Sequence, residues 1–217
     1  MKSVNNAGTP EHIAILGGTF DPVHIGHLRI AIRLREAGFD RVLMIPNKVP
    51  PHRAQPEASG EARLAMLQLA TAELDGIDAS DIELCQEGIS YSAGTMSLLK
   101  EKNPDARLTW VMGNDAWNGF DRWHSPATML EKGSILVISR PGEQARDDGW
   151  LGQIRSENGC ELPLLLANTH GSICHLSWPE LDISASDLRQ AIKRGDNIAF
   201  LTPPAVSDYI NDQQLYR

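Results

Sequence analysis

The sequence predicts an α/β protein, a mostly parallel sheet with helices on both faces, and two observations predict it. Short apolar runs of strand type take turns with segments whose apolar residues recur at helical spacing. The 217-residue length also suits one sizeable domain of that kind. Residues 12–17 are an apolar run ending in Gly17 and Gly18, the mark of a buried strand. Residues 27–37 keep helical spacing and stop at Gly38, a suitable C-cap. A second strand is expected over 41–46, then a Pro-rich loop over 47–56 and a helix over 61–74. A weaker strand follows over 77–84, and a helix over 92–102 behind a Ser N-cap. Strands over 107–113 and 134–139 enclose a short helix over 126–132.

Periodicity blurs from 140 to 168, where a loop and one helix around Trp150 are expected. A last strand over 172–178, a helix over 186–194 ending at Gly195, and a closing helix over 203–215 with Pro in its first turn complete the chain. The pattern describes a doubly wound, Rossmann-like sheet, and such sheets take ligands beyond the carboxyl ends of their strands. Residues 1–11 are polar and are expected to form a disordered tail ahead of a single domain over 12–217.

Composition narrows the function. Hydrophobic residues make up 41 % and charged residues 22 %, enough for an ordinary buried core. The formal net charge of −8 argues against nucleic-acid binding, which draws its affinity from clustered Lys and Arg. A small anionic substrate needs only a few local cations. The three cysteines form no C-x-x-C pair, so neither a disulfide framework nor a zinc site is indicated. With no apolar signal-peptide core and no bilayer-length apolar stretch, a cytoplasmic protein without membrane contact is expected. Homo-oligomer formation is left open.

Two segments carry chemistry. The first is Gly17-Gly18-Thr19-Phe20-Asp21-Pro22-Val23-His24-Ile25-Gly26-His27. Its glycines let backbone approach a ligand closely, and His24 and His27 stand three residues apart at a helix start. Free N–H groups and the helix dipole make such a start a natural phosphate site. The bland alternative is a tight turn with Asp21 as a cap; the combination of features outweighs it. The second is Ile183-Ser184-Ala185-Ser186-Asp187-Leu188-Arg189, which alone reads as little more than a capped helix.

Together these segments resemble the nucleotidyltransferases related in fold to class I aminoacyl-tRNA synthetases, and most closely the bacterial nicotinate-nucleotide adenylyltransferases. The H-x-G-H motif within GGTFDPVHIGH is the specific part. The segments PNKVPPH (46–52), SYSAGT (90–95), GND (113–115), FDRW (120–123), SRPG (139–142) and the ending LYR agree with it. Two positions depart from the family pattern: Ser186 stands where Thr is more usual, and His124 where Tyr often sits.

The resemblance implies transfer of AMP from ATP to nicotinate mononucleotide, with Mg²⁺ bridging the triphosphate. It places His24, His27 and Arg189 in catalysis, His27 on the transferring phosphate. Gly17, Gly18, Thr19 and Phe20 would border the nucleotide, Asp115 would hold the adenosine ribose, and Ser184 and Ser186 would join Arg189 on the β- and γ-phosphates. Lys48, Ser92, Trp123, His124 and Arg140 would serve the acceptor, Trp123 by stacking on its pyridinium ring. No metal ligand from the protein is implied. The same transfer onto another phosphorylated acceptor, and a catalytically silent nucleotide-binding module, stand as alternatives.

Overall fold

The structure, a computed structural model, describes residues 10–49, 54–139, 143–179 and 181–217. Six strands form one parallel sheet in the order β3-β2-β1-β4-β5-β6. They are β1 (His12–Gly18), β2 (Arg41–Pro46), β3 (Ile77–Ala79), β4 (Arg107–Gly113), β5 (Ser134–Ser139) and β6 (Ile173–Ser177). The order reverses between β1 and β4, and the crevice beyond their carboxyl ends is where a doubly wound sheet takes its ligand.

Alternation along each strand sorts the core into two layers. Ala14, Val42, Met44, Val111, Leu136 and Ile138 face one way, against α1 (Ile25–Glu36), α2 (Gly60–Thr71), α7 (Leu162–Ala167) and α9 (Pro204–Asp212). Ile13, Ile15, Leu43, Ile45, Leu108, Trp110 and Val137 face the other. Their partners are α3 (Ser92–Lys102), α4 (Asn114–Trp117), α5 (Pro126–Lys132) and α6 (Gly149–Asn158). The last helix of the site, α8 (Ala185–Arg194), ends where expected, with Gly195 at φ +75° in the left-handed region that glycine enters without strain.

Three expectations need correction. The strand expected over 77–84 ends at Ala79, because the following turn leaves the sheet: Ile82 enters the second core layer, and the buried Glu83 carboxyl meets Thr95 Oγ1 at 3.0 Å. No Ser caps α3; its N-cap is Tyr91 without a side-chain bond, and Ser90 Oγ contacts Gln86 Oε1 at 3.3 Å instead. The blurred stretch holds two helices, α6 and α7, rather than one. The second is a Leu-rich run with Pro in its first turn, where apolar residues on every side hide the period.

Candidate active site

The site begins where β1 stops. A Cβ on Gly17 would stand 2.9 Å from Trp110, and one on Gly18 2.9 Å from the Phe20 ring. The Gly-Gly exit therefore makes room for two aromatic rings of the protein itself, a reason the sequence alone did not reveal. Phe20 takes φ +51°, and its buried ring meets His27 edge-on at 4.9 Å. Asp21 does not cap α1. Its buried carboxylate accepts N–H bonds from Glu57 (2.8 Å) and Ala58 (3.0 Å) and the Tyr216 hydroxyl bond (2.8 Å).

His24 is the N-cap of α1, and its backbone N–H donates to His27 Nδ1 at 3.3 Å. That bond makes Nδ1 an acceptor, so a neutral His27 carries its proton on Nε2, free to donate to a ligand. The two imidazoles stack at 3.7 Å between centroids. A Cβ on Gly26 would press on the His24 ring at 3.0 Å, which accounts for glycine between the histidines. Burial lowers His24 to a pKa of about 4; burial, and then the neighbouring His24, lower His27 to about 3. Both rings are neutral donors near pH 7. The first turn of α1 carries no acidic residue, so the helix itself brings no negative charge to that end.

The second segment meets the first. His24, Gly26, His27, Ser184 and Ala185 line one cavity of about 360 Å³. Next to it lies a space of about 530 Å³ bordered by Thr19, Phe20, His27, Glu57, Ser186 and Arg189. Ser184 is the N-cap of α8: its Oγ accepts from Asp187 N at 3.0 Å and contacts Asp187 Oδ2 at 2.7 Å. Arg189 donates through Nη1 to the Asp21 carbonyl (2.7 Å), through Nε to Glu57 Oε1 (3.0 Å) and through Nη2 to Ser186 Oγ (3.3 Å).

The other predicted positions line neither of these two spaces. Exposed Asp115 sits in the first turn of α4, just past the carboxyl end of β4. Half-buried Lys48 follows β2, its Nζ bonded to the Gln86 carbonyl and its N–H 3.4 Å from Glu83 Oε2. Ser92 opens α3. Trp123 is half-buried, edge-on to Phe120 at 5.5 Å, while exposed His124 stacks on Tyr91 at 4.3 Å. The structure brings Ser92 and His124 to one rim through that stack. Arg140 lies outside the described residues.

Sequence reasoning missed the residues that hold these loops. Buried Arg63, from α2, donates to the Thr19 carbonyl (2.8 Å) and the Asn47 carbonyl (2.9 Å), tying the β1 and β2 exits together. Asp21, Glu57 and Tyr216 form a second tie. The Asp of GGTFDP and the Tyr of LYR were visible in the motifs, but their mutual contact spans 195 residues of sequence. Nothing local marks Arg63.

A parallel sheet reversing at β1/β4, with an anion-suited H-x-G-H turn at that point, defines a nucleotidyltransferase-type α/β protein. Residues 15–191 match the cytidylyltransferase-like family, and the chain belongs to it. It is similar to the probable nicotinate-nucleotide adenylyltransferase of Chromohalobacter salexigens, 40 % identical over 211 residues and covering 95 % of this chain and 96 % of that one. The corresponding protein of Hydrogenovibrio crunogenus is 39 % identical over 206 residues, covering 94 % and 97 %. The fold is shared with Plasmodium falciparum nicotinic acid mononucleotide adenylyltransferase complexed with NaAD (TM-score 0.71, 16 % identity, 95 % and 97 % covered).

Proposed function

We infer that this chain transfers the AMP part of ATP to the 5′-phosphate of nicotinate mononucleotide, giving nicotinate adenine dinucleotide and pyrophosphate, a step of NAD biosynthesis. The observation that carries the inference is the convergence of His24, His27 and Ser184 on one cavity, with Ser186 and Arg189 beside it. The extensive similarity to nicotinate-nucleotide adenylyltransferases supports the acceptor.

The chemistry follows from charge. An acceptor phosphate oxygen, already anionic near neutral pH, attacks the α-phosphorus; the bond from that phosphorus to the bridging oxygen breaks, and pyrophosphate leaves. No general base is needed. Catalysis amounts to holding two polyanions in line and stabilising charge as it moves. His27 Nε2–H donates to the α-phosphate, with His24 beside it. Gly17, Gly18, Thr19 and Phe20 line the nucleotide, and Asp115 takes the ribose. Ser184, Ser186 and Arg189 hold the β- and γ-phosphates. Ser186 only accepts, from Arg189, so its O–H is available to a phosphate, whereas the Ser184 O–H is donated to Asp187 Oδ2 and has to be released or shared.

Trp123 offers an indole face to the pyridinium, with Lys48, Ser92 and His124 on the same side and Arg140 a further candidate. A carboxylate, carrying only acceptors, suits hydroxyl and backbone N–H donors there better than a carboxamide. Mg²⁺, when bound, would be held mainly through the substrate's phosphates rather than by protein ligands and would supply charge neutralisation. The Asp21 carboxylate is committed to Glu57, Ala58 and Tyr216, so the phosphates are the better ligands. No helix among the described residues is long and apolar enough to cross a membrane, which fits the proposed cytoplasmic setting.

Pyrophosphate release from ATP, with nicotinate and nicotinamide mononucleotides in parallel and with or without Mg²⁺, tests the inference. Metal-dependent turnover favouring the acid is the expected result. ATP binding with no release for any acceptor would overturn it.

A further inference from the structure

One ion cluster beside the cavity joins Arg189 to two residues, Glu57 and Lys193, that have no part in the scheme above. Arg189 and Lys193 stand four residues apart on α8, hence on one face of the helix. Both reach the same carboxylate: Arg189 Nε lies 3.0 Å from Glu57 Oε1, and Lys193 Nζ lies 2.8 Å from Oε2 and 3.1 Å from Oε1. Glu57 belongs to the turn before α2, where its own N–H is held by Asp21. It borders the same space as Thr19, His27, Ser186 and Arg189.

A carboxylate gripped by a guanidinium and an ammonium is the arrangement those cations would give a phosphate. The Glu57 and Lys193 side chains are 40 % and 38 % exposed, so this pair is weakly held and readily exchanged. In a chain of net charge −8 that must bind a triphosphate, leaving two cations unpaired against solvent would invite other anions.

We propose that Lys193 is a second cation of the polyphosphate clamp, and that Glu57 is the protein's own anion filling the clamp until the triphosphate displaces it. This rests on the proposed nucleotidyl transfer and adds to it a binding residue and a competitor. Displacement has a sign that a structural role lacks. Removing the Glu57 charge frees the clamp and tightens polyphosphate binding, whereas loss of a merely structural ion pair would loosen it. Lys193 acts only where β- and γ-phosphates lie, so AMP is unaffected.

The test is titration calorimetry of the whole protein with inorganic tripolyphosphate, a non-hydrolysable ATP analogue and AMP. For Glu57→Gln, tripolyphosphate and analogue affinities are expected to rise about threefold; for Lys193→Ala they are expected to fall about three- to tenfold. AMP affinity stays within twofold of the parent, and Glu57→Gln has a smaller effect in the Lys193→Ala background than alone. Unchanged or weakened binding in Glu57→Gln, or an equal loss for AMP in Lys193→Ala, overturns the proposal. Unfolding midpoints of both exposed-site variants confirm the fold. Pyrophosphate release by the parent is scored separately: its absence would strike the transferase inference, while the tripolyphosphate result still decides the clamp.

Discussion

The two ends of the crevice are built in different ways. On the polyphosphate side, the side chains that hold the loops and the imidazoles are fixed in place, while Ser184, Ser186, Glu57 and Lys193 stand at the surface. Asp21 has three hydrogen-bond donors, Arg63 clasps two loop carbonyls, and the paired imidazoles are stacked and neutral. On the side proposed for the acceptor, Tyr91 and His124 are exposed, and Trp123 is half-buried against the Phe120 ring. The contrast matches two tasks. Stabilising moving charge requires donors fixed before the reaction, since reorientation during it would cost part of the gain. Choosing an acceptor requires only differences in contact, which exposed loops can supply.

If that contrast is sound, the largest loss comes from the buried side. His27→Ala should lower kcat about 10²–10³-fold, roughly 3–4 kcal/mol of barrier, in a pyrophosphate-release assay. A kcat within threefold of the parent would remove His27 from the reaction. Arg63→Met, which touches no substrate in this scheme, should cost about 3 kcal/mol of stability in urea unfolding by leaving the Thr19 and Asn47 carbonyls unpaired. A loss below about 0.5 kcal/mol would mean that the two loop exits hold themselves.

Acidification should expose the same asymmetry. A histidine whose folded pKa is depressed takes up a proton first in the unfolded chain. Its stabilising contribution is therefore complete above pH 6.5 and declines as pH falls toward the folded values of about 4 and 3 for His24 and His27. Allowing for partial solvent exposure, the pair should cost about 2 kcal/mol across this window, and His24→Asn/His27→Asn should flatten the slope of unfolding free energy against pH. An unaltered slope would show that other groups govern it.

On the open side, Trp123→Ala should raise acceptor KM about two- to thirtyfold and leave ATP KM alone, matching a cation–π contact of roughly 0.5–2 kcal/mol. If ATP KM rises equally, Trp123 supports the fold rather than the acceptor. Smallest of all, Ser184→Ala should cost about 1 kcal/mol of stability through loss of the α8 cap. Comparing its KM for ATP with its inhibition constant for AMP as a dead-end inhibitor then separates the cap from any phosphate contact.

Much of this was legible beforehand because it is local. All six strands were found, β2, β4 and β5 at their observed limits and β3 too long, since a strand buried on both faces is a continuous apolar run whatever its neighbours do. The turn at 80–88 was not, because Ile82 and Leu84 keep a strand-like alternation while Glu83 is drawn into a hydrogen bond with a helix further along. Likewise the H-x-G-H turn stood out by its spacing, but the stack of its rings and the tautomer of His27 follow from helix geometry at the N-cap.

From the order of residues alone came the alternation that makes a doubly wound sheet and the two short segments suited to phosphate, because hydrophobic period and helix-start chemistry are written within a few residues of each other. Only the tertiary structure decided that Ser184 to Arg189 faces the imidazoles, that Arg63 and Tyr216 hold the β1 exit, and that Glu57 pairs with Arg189 and Lys193. Such contacts join positions separated by 44 to 195 residues, and no local preference specifies them. They arise because the strand order sets which carboxyl ends share a crevice, and a carboxylate or guanidinium buried there must find its partner across it.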